Sequence, residues 1–438
     1  MKLYYSFFLI LLVTAPLITT VAQNRMVLTV DQAVETGLAN NKALKISSYG
    51  LKGAEAKLNE SSASRLPSLS VSAVYTRLSE VDPFSIVTPF GKFDLAPSIL
   101  NSYTTKLTLT QPIFTGFKLK SAVELADLGF QSAKEDYNKS KDEVVLNIKS
   151  AYWNLYKAKQ FKTLLDENIS QIKARLKDAK NLFDQGLLTR NDLLKLEVQL
   201  SDVMYRRADA ENAVELSKIA LNNTMGLPLG TETDISEKAD LTDMAYLNLN
   251  DLITTASANR PELKAAGLRI KAGETGITMA KSGWYPQVAA VGNYNYSRPN
   301  QRIFPTKDEF KGTWDLSLSL SYNLWNWNAT SYQTEQAEAQ LDQARDGFKS
   351  VEDLIILDVT QSYLSLKQSV SKVKISEQGV EQAQENYRLT SDRFKQGLAL
   401  SADVIDAEVA LLQAKTNYNN ATVDCMVSLA RLNRAIGK

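Results

Sequence analysis

Histidine is absent from the 438 residues, and cysteine occurs once, as Cys425. Without an imidazole there is no Ser–His–Asp triad, no Cys–His pair and no His-ligated metal. A single thiol forms no internal disulfide, zinc ribbon or iron–sulfur cluster. An excess of one charge is missing too: 50 Lys and Arg face 49 Asp and Glu, which removes the electrostatic footprint of a nucleic-acid binder. No phosphate-binding loop, EF-hand loop or dinucleotide fingerprint is present, so no cofactor and no metal is expected. An enzyme would need a carboxylate pair or a Ser–Lys site, and no pocket-forming pattern supports one. Past the N-terminus no run approaches about 18 apolar residues, the length of a membrane-spanning helix, so any insertion must use β-strands.

Glycine (19) and proline (11) are scarce, while Ala, Leu, Lys, Glu and Gln are abundant, which points to long helices. At the N-terminus Lys2 precedes an apolar run from Leu3 to Val13 and then Thr19-Thr20-Val21-Ala22. This pattern predicts a signal peptide over residues 1–22, and no cysteine follows it to make a lipoprotein. Lys2 is its only charged residue, so the remaining chain carries 49 charges of each sign (50 − 1 against 49).

The chain is written twice. Asn40 and Leu44 align with Asn259 and Leu263, and Pro67 with Pro286, at an offset of 219 (259 − 40). Phe183-Asp184-Gln185-Gly186-Leu187 then matches Phe394-Lys395-Gln396-Gly397-Leu398 at an offset of 211 (397 − 186), and Met225-Gly226 matches Ile436-Gly437 in the same register. The offset changes once, by 8 (219 − 211), between two alternating segments, so one loop is longer in the first copy. The repeats are read as 23–230 and 248–438, joined by a linker over 231–247.

Each repeat reads as helix, strand, loop, strand, very long helix, turn, helix. Strict alternation predicts strands over about 68–77 and 103–112 in the first copy and about 287–296 and 313–323 in the second. Runs of about ten residues suit a tilted bilayer crossing. Aromatics at their ends (Tyr75, Tyr103, Phe114, Tyr294, Tyr296, Trp314, Tyr322 and Trp325) are read as a membrane-interface girdle in contact with lipid. Pro112 is read as closing its strand. Long helices are predicted over 117–183 and 328–394, returning through helices over 189–226 and 401–437, and no proline interrupts them. Such a helix measures on the order of 100 Å, which suits a coiled-coil conduit and not a compact globule. Four membrane strands cannot close a barrel, and an open sheet edge cannot face lipid. Three chains pooling their strands would give 12, an even-numbered barrel with a polar interior.

These features, in this order and twice over, resemble the TolC-like outer membrane efflux proteins. The resemblance covers essentially the whole chain past the signal, and includes Gln111-Pro112-Ile113-Phe114 and the tip pattern Phe-x-x-Gly-Leu. It implies a mainly α fold with membrane β: a homotrimeric channel-tunnel, whose 12-stranded β-barrel (four strands per chain) runs into an α-helical coiled-coil barrel in the periplasm of a Gram-negative cell. It implies a passive exit duct for drugs, small molecules or metals, partnered by a periplasmic adaptor protein and, through it, an inner-membrane pump.

By the same resemblance, Gly186, Leu187, Thr189, Gly397, Leu398 and Ser401 are adaptor-contact tips, in which turn chemistry makes Thr189 and Ser401 caps of the helices that follow. Asp403 and Asp406 are the counterparts of acidic rings that narrow the periplasmic entrance. The family's entrance Arg is matched here by Ala399. Two other readings share these features: the exit duct of a type I protein secretion system and, from a different class, a secreted coiled-coil scaffold or adhesin without a barrel.

Overall fold

Two helices of 67 residues each set the long axis of the protein: α3 (Lys118–Asp184) and α7 (Ala329–Lys395). The computed structural model describes residues 26–82, 84–94, 98–236 and 248–438; the expected signal peptide and most of the expected linker (237–247) lie outside them. Each long helix turns back into a shorter one, α4 (Arg190–Met225) after α3 and α8 (Ser401–Ala435) after α7. Adding 211 to the bounds of α3 reproduces those of α7 (118 + 211 = 329; 184 + 211 = 395), so the duplication holds residue by residue in three dimensions. Among the described residues no helix is long and apolar enough to cross a membrane.

The rest of the first repeat comprises β1 (Met26–Leu28), α1 (Val30–Asn40), α2 (Lys42–Ala63), β2 (Ser68–Arg77), a small hairpin of β3 (Ser85–Thr88) and β4 (Gly91–Asp94), and β5 (Asn101–Thr115). Then come β6 (Thr233–Ile235), α5 (Leu249–Asn259), α6 (Pro261–Ala280), β7 (Gln287–Arg298) and β8 (Lys311–Ser321). The large sheet has the order β2-β5-β7-β8, antiparallel throughout. Separately, β1 pairs in parallel with β6, which draws the start of the expected linker onto the first repeat.

Pro112 does not close its strand. β5 continues to Thr115, and the ladder to β7 shifts register between Pro112 and Phe114. A bulge is where a residue without an N–H is tolerated, and the extra residue keeps Phe114 on the face that Leu109 occupies. Beyond each second strand the chain swings into its long helix through two consecutive left-handed residues. These are Gly116 (φ 60°) and Phe117 (φ 70°) in the first copy, and Trp327 (φ 52°) and Asn328 (φ 61°) in the second. The positions are equivalent at the 211 offset (116 + 211 = 327), so the sheet-to-helix joint is one device used twice.

The core runs as a chain of clusters along the helices. Beside α1 it comprises Ile148, Tyr152 and Leu155 of α3 with Leu221 and Met225 of α4, and the Tyr152 hydroxyl donates to the Leu28 carbonyl at 3.0 Å. A matching cluster in the second repeat gathers Ile355, Val359 and Leu366 of α7 with Leu432 and Ala435 of α8. Further toward the turns, Leu165, Ile169 and Ile172 of α3 meet Val203 and Ala210 of α4. The returning helices end against the junction between the first two helices of each repeat, at Gly226 (φ 76°) and Gly437 (φ 75°). A Cβ on Gly226 would sit 2.5 Å from the Asn40 carbonyl oxygen, and one on Gly437 would sit 2.9 Å from Cβ of Asn259.

The left-handed conformation and the contact with Asn40 together predict that Gly226→Ala destabilises the fold by about 1–3 kcal/mol. Gly50→Ala, inside α2 with open space around it, should instead stabilise by up to about 1 kcal/mol. Thermal unfolding of the two detergent-extracted variants checks the pair, and equal effects would contradict the account.

Candidate functional site

Ladder register sorts the large sheet into two faces. On one, Leu69, Val71, Ala73 and Tyr75 lie opposite Leu109, Leu107, Thr105 and Tyr103. On the same face Tyr294, Gly292, Ala290 and Val288 lie opposite Trp314, Leu316, Leu318 and Leu320. These apolar side chains are largely exposed; Leu316, for example, keeps 76% of its surface. The other face carries Ser and Thr with a polar ribbon across three strands: the Thr108 hydroxyl donates to the Asn293 side-chain oxygen (3.1 Å), and the Asn293 amide donates to Asp315 (2.8 Å). One surface fits lipid and the other fits water.

Aromatics bound the apolar face at both ends. At the end away from the helices Tyr75 packs on Tyr103 (5.0 Å), and Phe310 lies against Tyr103 (5.9 Å) and Tyr296 (5.2 Å). At the helix end Phe114, Phe117 and Tyr285 form an edge-to-face trio (5.4 to 6.4 Å), and Trp325 packs on Trp327 (5.7 Å). Tyr322 lies just past β8 at that end, exposed like Trp325. From Tyr103 to Phe114 the strand rises roughly 36 Å, which at a tilt of about 40° spans roughly 28 Å, close to the apolar band of a membrane barrel.

The two hairpin tips are built alike. Gly186 (φ 75°) and Gly397 (φ 74°) take the left-handed position after each long helix. The Gly186 N–H bonds to the Phe183 carbonyl and the Leu187 N–H to that of Leu182, both at 2.9 Å; Gly397 and Leu398 repeat this with Phe394 and Arg393. This double bond pattern ends a helix with its last carbonyls satisfied. It leaves Leu187 (71% exposed) and Leu398 (72% exposed) projecting at the two tips. Thr189 caps α4, its hydroxyl oxygen accepting the Asp192 N–H at 3.2 Å.

Ser401 does not cap α8. The position three residues past the tip glycine is the cap in both copies, and in the second copy Leu400 occupies it. Ser401 is therefore the first helical residue, buried, with no hydrogen-bond partner for its Oγ among the described residues. Asp403 takes over half of the missing cap, accepting the Leu400 N–H at 3.0 Å.

Asp403 and Asp406 are both exposed, one turn apart on α8. Their counterparts at the 211 offset are Asp192 and Lys195, which pair with each other at 3.9 Å. One tip thus pairs its acid with a lysine, and the other carries two acids side by side with no ion-pair partner among the described residues.

A buried polar node eleven residues above each tip glycine (186 − 175; 408 − 397) was not anticipated from the sequence. Glu408 of α8 is 1% exposed and forms a very short ion pair with Arg175 of α3. Asn168 donates to the other Glu408 oxygen at 2.8 Å, and Arg175 donates to the Tyr387 hydroxyl of α7 at 2.7 Å. Three helices are pinned at one level. Burial pushes the Glu408 carboxyl above the usual carboxylate range, against the opposing pull of Arg175 and Asn168. The signal was legible: Arg175 interrupts the apolar stripe of Ile169, Ile172 and Ala179, and Glu408 that of Val404, Ala407 and Leu411. Cys425 is buried and desolvation pushes its thiol up to about 11, which leaves it little thiolate character.

The outer membrane efflux protein family matches the chain over residues 33–227 and 252–438. The outer membrane protein TolC of Escherichia coli K12 is 22% identical over 414 residues, covering 93% of this chain and 81% of that protein. TolC of Vibrio cholerae is 23% identical over 348 residues, 79% of each. The alkaline protease secretion protein AprF of Pseudomonas aeruginosa is 20% identical over 338 residues, 76% of this chain and 69% of AprF. Among solved structures, the outer membrane protein VceC of Vibrio cholerae superposes with a TM-score of 0.77 at 18% identity, over 93% of this chain and 96% of VceC. The CmeC outer membrane channel of Campylobacter jejuni gives 0.77 at 16% identity, over 93% and 85%.

Arg175→Met leaves a buried carboxylate without its cation and should destabilise the protein by about 3–5 kcal/mol, whereas Arg175→Met with Glu408→Leu should recover most of that loss. Because Glu408 titrates higher in the folded state than unfolded, its contribution is present at acid pH and declines as pH rises from the ordinary carboxylate range through the raised value. Glu408→Gln should flatten that slope. Denaturant unfolding across pH 4–8 of the four proteins reads both effects, and equal stability of the single and double variants would contradict them.

Proposed function

The chain belongs to the outer membrane efflux protein family, and from that premise we propose that three copies assemble into a channel-tunnel serving as a passive exit duct from the periplasm. The observation that carries this reading is the four-stranded sheet: apolar on one face, polar on the other, and open along β2 and β8. Backbone groups at those edges need partners in lipid, and β8 of one copy pairing with β2 of the next supplies them. Three copies give 12 strands with Thr108, Asn293 and Asp315 turned to the lumen. The helical hairpins then continue the barrel as a periplasmic tube. The chain binds and conducts, and does no chemistry itself.

The tips are the surface we assign to a periplasmic adaptor protein, which couples the duct to an inner-membrane pump. Leu187 and Leu398 are exposed apolar side chains held on rigid turns, the arrangement an apolar socket would recognise. Asp403 and Asp406 form the entrance constriction: three copies place six carboxylates around one aperture, which attracts cations and repels anions. Efflux of drugs, small molecules or metals is the leading reading. Export of a protein is the second, favoured by the likeness to AprF, a protease secretion protein.

Extraction in detergent followed by mass measurement should give a stable trimer; a soluble monomer would overturn the duct and favour a secreted coiled-coil scaffold. In planar bilayers, Asp403→Ala with Asp406→Ala should raise conductance and weaken block by multivalent cations, and unchanged values would remove the constriction. Leu187→Asp with Leu398→Asp should leave the trimer intact while abolishing efflux in cells, and retained efflux would dismiss the tips as the docking surface.

A further inference from the structure

An ion-pair node closes the second repeat where α8 ends. Arg260, the N-cap of α6, pairs with Glu262 and with Asp358 of α7, each at 3.0 Å, and Arg434 of α8 pairs with Asp358 at 2.8 Å. The duplication names the counterparts of these four residues in the first repeat. They are Asn41 and Ala43 (260 − 219; 262 − 219), and Asn147 and Asn223 (358 − 211; 434 − 211). None of them is charged. Where the second repeat has the node, the first has a cavity of about 1170 Å³, and all four counterparts line it. The cavity lies within one chain, between α4 and α8 across α3, with the start of α2 beside it.

The cavity has gained cations that the node never had. Lys42 and Lys157 line it, where the second repeat has Pro261 and Gln368 (42 + 219; 157 + 211), and no Asp or Glu lines it. Among the described residues Lys42 forms no ion pair, and Lys157 reaches Asp424 alone, at 3.9 Å. Asn147, Asn154, Asn223 and Asn420 also line the cavity, and none of their side-chain amides has a hydrogen-bond partner among the described residues. Phe161 and Leu216 add apolar surface. Ammonium groups that face no carboxylate attract an anion, and unpaired amides donate to and accept from hydroxyl and amide groups. We propose that this cavity binds a small soluble anion rich in hydroxyl and amide groups, of the kind a carboxylated amino sugar represents. The second repeat has no such site, because Glu262 and Asp358 already supply its anions. In charge preference the cavity is the opposite of Asp403 and Asp406. It is complete in a single chain, so it does not depend on how copies assemble.

Equilibrium dialysis of the detergent-extracted protein against N-acetylmuramic acid should show one molecule bound per chain. N-acetylglucosamine, which has the ring and the acetamide but no carboxylate, should bind at least about tenfold more weakly. Lys42→Met with Lys157→Met should weaken binding of the acid sugar by that same factor and leave the neutral sugar unchanged. Asn147→Asp with Asn223→Arg keeps both lysines but introduces the Asp358–Arg434 pair of the second repeat, and should abolish binding of the acid sugar. Acid and neutral sugars bound alike, undiminished binding by both double variants, or no binding of the acid sugar by the unaltered protein would overturn the site. The mass of the same preparations reports separately on the trimer: a trimer that binds neither sugar leaves the duct standing, and a monomer that binds the acid sugar leaves the site standing.

Discussion

A peptide group in hydrocarbon must find its hydrogen bond inside the protein, and the remaining architecture follows from that requirement. Four strands satisfy each other internally and leave two rows of amides and carbonyls, on β2 and β8, that only further strands can satisfy. Closure by copies fixes a common axis, and the strands must then hand over to helices running along it. The handover is made by the left-handed pairs at Gly116-Phe117 and Trp327-Asn328. Such backbone costs on the order of 1–3 kcal/mol per residue where the side chain is not glycine. The surrounding contacts that hold it include the Phe114–Phe117–Tyr285 trio in the first copy and the Asn326 amide on the Thr330 hydroxyl (2.7 Å) in the second.

Duplication supplies the geometry, and divergence between the copies supplies the function. Both tips use the same glycine turn, yet the first neutralises Asp192 with Lys195 while the second sets Asp403 beside Asp406. Both returning helices carry a glutamate at the same level, yet Glu408 is sunk against Arg175 and Glu197 is only half-buried. A symmetric backbone thus carries asymmetric charge, so the two hairpins are alike in shape and different in chemistry.

Much of this was legible in the sequence because periodicity and punctuation are local signals. Alternation located the four large strands, the proline-free stretches located α3 and α7, and Phe-x-x-Gly-Leu located both turns. Other features depend on what comes together in space. β5 runs three residues past 112 because a bulge absorbs Pro112, a property of its pairing with β7 and not of its own composition. Ser401 looked like a cap because it is the residue type that caps helices; the turn geometry set by Gly397 assigns that position to Leu400. The β1–β6 pair joins segments more than 200 residues apart, and strands of three residues carry no pattern of their own. Arg175 and Glu408 each broke an apolar stripe, but only the fold shows that the two interruptions meet.

The equal length of α3 and α7 binds the two halves of the gene to each other. Deleting one residue from α3 alone would draw its tip back by about 1.5 Å and rotate it by about 100° relative to the tip of α7. The exposed Leu187 would shift and turn relative to Leu398, its counterpart at the other tip. Length can therefore change only in step, by matched edits in both copies; edits of 7 or 11 residues nearly restore the facing after whole turns. Even such an edit would have to be made twice for the two ends to stay level.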